Sequence, residues 1–111
     1  MQVPPTDPLA FIQRCVRNRA IFWSYHVNMR LQGRNISRAD ILDSVDTYEI
    51  IESNPQDKYL PSYLVLARSL NDEFHVLFAT DVQDDNIRIV TAYRPDPAEW
   101  EADLKSRRVV K

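Results

Sequence analysis

The chain has 111 residues, a length that points to one domain around one core. Its 44% hydrophobic and 27% charged residues are ordinary for a globular protein, and no run approaches the ~18 apolar residues a membrane helix needs. A net charge of −2 argues against nucleic-acid binding by bulk charge, and the single cysteine, Cys15, excludes an internal disulfide and a cysteine-built zinc site.

Residues 1–6 read as a loose arm without the cationic start and apolar run of a secretory leader, so a reducing cytoplasm is the expected compartment. Asp7-Pro8 then starts a helix, because Asp accepts from free amides and Pro fits the first turn. Leu9, Ile12 and Val16 share one face of this helix over about 8–18. A second helix is predicted over about 22–32, closed by a left-handed cap at Gly33, the only glycine. Ser37 and Asp40 have capping-box spacing, and Ile36 and Ile41 the spacing of a hydrophobic staple, so a third helix is predicted over about 38–46.

From Tyr48 the pattern changes. Residues 48–53, 62–69, 73–82 and 87–93 are rich in β-branched and aromatic side chains and read as strands. Asn71-Asp72 and Asp84-Asp85 mark turns, and Asp96-Pro97 starts a C-terminal helix carrying Trp100 and Leu104. The predicted class is α+β, with N-terminal helices packed on a four-stranded, mostly antiparallel twisted sheet and a final helix.

Charges test the strand register. A symmetric turn at Asp84-Asp85 pairs Asp81 with Arg88, Phe78 with Thr91 and His75 with Arg94. A two-residue turn at Asn71-Asp72 pairs Leu66 with Leu77 and Arg68 with His75. Arg68, His75 and Arg94 then form one row across three strands, where an anion would relieve the repulsion among them. The same row placed at the sheet end would simply let long side chains reach water. A one-residue slip in either turn destroys it.

The helical segment carries a second constellation. Residues 1–38 hold six arginines (14, 17, 19, 30, 34 and 38) against Asp7, a balance of +5 that leaves −7 for the other 73 residues. His26 and Arg30 are four apart on one helical face, with Arg34 just beyond and Phe22 and Met29 nearby. Cleavage of a phosphodiester needs a group that moves the 2′-hydroxyl proton and a fixed cation on the charged phosphorane. An imidazole beside an arginine supplies both. A histidine on such a face also serves as a packed residue bonded to a backbone carbonyl. The sequence has no glycine-rich phosphate loop, no serine elbow and no metal-ligand spacing, so neither a metal nor another cofactor is expected.

Four segments resemble a known family. They are Tyr25-His26 with Arg30 and Arg34-Asn35-Ile36-Ser37; Tyr48 to Glu52; Leu60 to Leu64 leading into His75-Val76; and Ile89 to Asp96 followed by Trp100. Their order and spacing from Phe22 to Arg108 resemble short bacterial proteins described as a domain of unknown function and grouped with RelE, BrnT and MqsR-like toxins. Members often lie beside a small antitoxin with a YgiT/MqsA-type zinc finger. The resemblance implies a RelE-like fold and metal-independent endoribonuclease activity on mRNA, often on the ribosome. It implies a catalytic set of His26, Arg30, Thr91 and Tyr93, with Thr91 holding a phosphate oxygen and Tyr93 stacking or orienting a base. Arg34, Arg68, His75 and Arg94 are the candidate substrate-binding residues. The register above puts Thr91 and Tyr93 on the sheet face opposite His75 and Arg94, so the two sets join only if the strand bulges or twists. Relatives tend to carry Tyr-Pro-Asp-Asp where this chain has Asn54-Pro55-Gln56-Asp57, a departure that bears on specificity.

Three functions are thus in view. The first is the toxin of a type II pair, cutting RNA and held by a cognate antitoxin. The second is a non-catalytic module that binds RNA or protein through a basic helical face. The third is a structural domain that forms a homodimer through a sheet edge.

Overall fold

The computed structural model describes residues 3–70 and 72–109. Helix α1 (Pro8–Arg17) starts where Asp7 accepts from the Ala10 amide, with Pro8 in its first turn. Helix α2 (Tyr25–Gly33) starts at a Ser24 cap on the Val27 amide. Helix α3 (Arg38–Asp43) has the complete Ser37–Asp40 capping box and passes into a 3-10 turn, Val45–Thr47. The strands are β1 (Ile21–Phe22), β2 (Glu49–Asn54), β3 (Ser62–Ser69), β4 (Asp72–Asp81) and β5 (Asn86–Tyr93), in the order β1-β5-β4-β3-β2. Of the N-terminal arm, Met1 and Gln2 lie outside the described residues, and Pro5 is buried.

The α+β class holds, but the sheet has five strands and is mixed. The two-residue β1 pairs parallel with β5, and Ile87 donates its amide to the Ala20 carbonyl at 3.0 Å. The second helix therefore begins at Tyr25 rather than residue 22, because Ser24 caps it and Ile21-Phe22 extends the sheet. Gly33 is not the left-handed cap. Asn35 takes that position at φ 57°, with Ile36 donating to Leu31 and Asn35 to Gln32. Asparagine tolerates this conformation better than most side chains, and its neighbours Leu31 and Ile36 are both buried. The third helix stops at Asp43, three residues short of expectation, where Ser44 turns its hydroxyl onto the Asp40 carbonyl.

Both registers differ from expectation. Ser69 pairs with Asp72 and the chain turns at Leu70; Asn71 of the expected turn lies outside the described residues. Leu66 then faces His75 and Arg68 faces Glu73, a shift of two that preserves the faces. Between β4 and β5, Asp81 faces Asn86 and Ala79 faces Arg88. The register then shifts between Leu77 and Phe78, leaving Val90 as the extra residue of a bulge. Beyond it Leu77 faces Thr91 and His75 faces Tyr93. The bulge carries Thr91 and Tyr93 onto the face that bears His75.

One sheet face packs under the helices. Val65, Ala67, Phe74, Val76, Phe78, Ile87 and Ile89 bury against Ile12, Val16, Val27, Leu31 and Ile41. Tyr48 closes this core by donating its hydroxyl to the Ile41 carbonyl at 2.6 Å. Tyr48→Phe is expected to cost about 1 kcal/mol, the usual net worth of one such bond, because Ser44 still serves that carbonyl; urea unfolding checks it.

The other face is covered by a strap, residues 95–109, in place of the expected C-terminal helix. The Asp96 carbonyl accepts from the Glu99 and Trp100 amides, a single turn that goes no further. Asp103 then captures the Lys105 and Ser106 amides, Leu104 takes φ 62°, and Trp100 and Arg107 form an antiparallel bridge. Side-chain capture of amides at Asp103 competes with helix propagation. Trp100 is the buried anchor of the strap.

Candidate functional site

The two histidines have opposite environments. His75 is fully buried, edge-on to Trp100 at 4.4 Å and to Tyr93 at 5.3 Å between ring centres. Its Nε2 is 2.7 Å from the Leu104 carbonyl, which only accepts, so Nε2 carries the proton. Nδ1 is then an acceptor, and the Tyr93 hydroxyl donates to it at 3.3 Å. Burial lowers the His75 pKa, opposed by the bond to Leu104. His75 is a neutral clasp between β4, β5 and the strap. Burial likewise raises the Tyr93 phenol above its ordinary value.

The expected cationic row does not form. Arg68 is ion-paired to Glu73 at 2.9 Å. Arg94 is ion-paired to Asp72 at 2.7 Å and donates to the Arg34 and Asn35 carbonyls. The turn at Leu70 brings both carboxylates beside these arginines. Arg94 and Asp72 line a shallow hollow of about 530 Å3 together with Asp40, so its charge is mixed rather than cationic.

His26 and Arg30 stand exposed on α2 and make no hydrogen bond or ion pair among the described residues. Val27 and Leu31 are the buried stripe that docks this helix. On one side of the stripe, Asn28 accepts from Arg38, whose guanidinium lies 4.7 Å from the Trp23 ring centre. On the other side are His26, Arg30 and Arg34, spaced four apart. Arg34 reaches β5, donating from Nη1 to the Thr91 hydroxyl at 3.1 Å and to the Ala92 carbonyl at 2.8 Å. Its other N–H groups make no bond among the described residues. Of the predicted set, only Arg34 is brought into contact with Thr91; the bulge leaves Thr91 on the strap face of the sheet, opposite the face under the helices, so His26 and Arg30 are not joined to it. Tyr93 shares the Thr91 face, although its hydroxyl is engaged by His75.

The charge asymmetry of the sequence is partly quenched. Arg14 pairs with Asp85 and Arg17 with Asp46. Arg19, Arg30, Arg34 and Arg38 have no carboxylate partner among the described residues, so part of the positive field that survives lies on the α2 flank. Sequence reasoning missed the pairing of Arg88 with Phe22. Arg88 stands opposite Phe22 across β1, and a strand of two residues leaves no periodic signal.

Among the described residues no group of three or more His, Cys, Asp or Glu side chains is placed to hold a metal ion, and no helix is long and apolar enough to cross a membrane. A family model described as "Domain of unknown function (DUF4258)" matches residues 23–94, that is 72 of the 111 residues. No curated protein matches the chain. No solved structure matches it either.

Proposed function

Because the chain belongs to the DUF4258 family, whose description assigns no activity, we propose a function from its own geometry: it is a metal-independent endoribonuclease acting on mRNA, the toxin of a toxin–antitoxin pair. The observation that carries this reading is that Arg34 at the end of α2 is bonded to Thr91, while Arg30 and His26 on the same helix are exposed and make no hydrogen bond or ion pair among the described residues. The resemblance of its four sequence segments to RelE-like toxins supports it independently.

In this reading Arg34 and Thr91 seat a phosphate, and Arg30 holds the charge that develops on the phosphorane. His26 takes the proton of the 2′-hydroxyl, and the 2′-oxygen attacks phosphorus. The bond from phosphorus to the 5′-oxygen breaks, and the imidazolium returns its proton to that oxygen. The products are a 2′,3′-cyclic phosphate and a 5′-hydroxyl. His75, buried and neutral, and Arg68 and Arg94, each held by a carboxylate, have supporting roles in the fold. A cognate antitoxin, which the resemblance implies is of zinc-finger type, would neutralise the protein by covering the basic flank.

The test is incubation of purified protein with mRNA in excess EDTA. The expected result is fragments ending in 2′,3′-cyclic phosphate, and growth arrest on expression that a cognate antitoxin relieves. RNA that is bound, with a steep salt dependence, yet stays intact would replace catalysis with a non-catalytic RNA-binding role.

A further inference from the structure

We infer that the corner between β1 and α2 is a stacking platform for unpaired RNA bases, with Phe22 and Tyr25 as its rings. This rests on the RNA-directed reading above and names the form of RNA the flank takes. Phe22 is 63% exposed, Tyr25 79% and Met29 50%. These three large apolar side chains fall within eight residues, on elements that already bury Ile21 partly and Val27 and Leu31 fully. The core therefore does not account for them.

Their placement relative to the cations is what points to a strand of RNA. At roughly 100° per residue, moving round α2 away from Arg34 meets Arg30, His26, Met29 and then Tyr25. The phosphate-binding flank thus runs continuously into the apolar positions. At the start of the corner, Phe22 faces Arg88 across the parallel pair, and the guanidinium lies 5.9 Å from its ring centre. Arg88 is steadied by Asp81 at 3.4 Å. Cations on one side of the corner and exposed rings on the other match a single strand, whose backbone offers phosphates and whose bases offer π-faces. A duplex hides the base faces inside its stack.

The probe is a fluorescently labelled single-stranded RNA of about 12 nucleotides, compared with a blunt duplex of the same length, at low salt. Phe22→Ala and Tyr25→Ala are each expected to weaken single-strand binding roughly 5- to 100-fold. Tyr25→Phe, which keeps the ring, retains wild-type affinity, and duplex binding is weaker than single-strand binding and indifferent to all three changes. Both rings are solvent-facing, so circular dichroism should show unchanged folds. Alanine variants that bind the single strand as the wild type does overturn the platform. If they also cleave with unchanged KM, the nuclease reading survives its loss. Wild-type protein that binds single strands through these rings but never cleaves leaves the platform standing and removes the catalysis. Wild-type protein that ignores RNA altogether, the outcome if this corner serves a protein partner, overturns both.

Discussion

His26→Ala is expected to lower RNA cleavage by roughly 10²- to 10⁴-fold while leaving the unfolding midpoint unchanged. The side chain is exposed at the start of α2 and makes no hydrogen bond among the described residues, so its removal takes nothing from the core. Substitutions at such surface positions usually alter stability by no more than about 0.5 kcal/mol. The loss should fall on kcat, because a proton-transfer group acts in the transition state, whereas Arg34→Ala should raise KM as well by releasing the phosphate seat at Thr91. Single-turnover cleavage and thermal melts on the same preparations separate these effects. A His26→Ala protein that cuts RNA at the wild-type rate would remove the imidazole from the mechanism.

His75→Ala should behave in the opposite way, costing about 3 kcal/mol or more of folding stability. The ring is fully buried between Trp100 and Tyr93, so truncation opens a cavity in a packed layer. It also strands the Leu104 carbonyl and the Tyr93 hydroxyl. Urea unfolding followed by tryptophan fluorescence reads the change, since Trp100 lies on the ring. The pH dependence has a definite sign. Burial lowers the folded pKa from the ordinary value near 6.5, so the unfolded chain holds the proton more readily. The contribution of His75 is complete above about pH 6.5 and is lost as pH falls through the folded value. Wild-type stability should therefore decline from pH 7 toward pH 5, and His75→Phe should flatten that decline. An equal slope in the two proteins would show that the ring does not titrate on unfolding.

The contrast between the two histidines marks where the sequence was readable. His26, Arg30 and Arg34 are four apart on one short helix, and local spacing suffices to place them together. The caps at Asp7 and Ser37 and the four longer strands were equally plain, since each rests on adjacent residues. His75 was misjudged because its partners come from the strap, and nothing near it in the chain announces Leu104. The strap has the sequence signal of a helix because Asp96-Pro97 opens one turn and a long helix alike. The registers failed for a related reason. The β3–β4 turn places Leu70, not a turn-forming residue, at φ 47°, and the bulge at Val90 has no glycine to mark it. That bulge puts Thr91 and Tyr93 on the face of His75 and away from the helices, a placement that local spacing does not announce.

The strap has a bearing on how the polypeptide matures as it leaves the ribosome. The layer beneath the helices can consolidate once β5 has emerged, since Ala92 is its last contribution from that strand. The reverse side, with Leu64 and Leu66, stays bare until Trp100 arrives and Arg107 ties it to Glu52. Synthesis therefore passes through an interval in which one side of the nascent β-structure is finished and the other is greasy and open, the kind of species that chaperones shield.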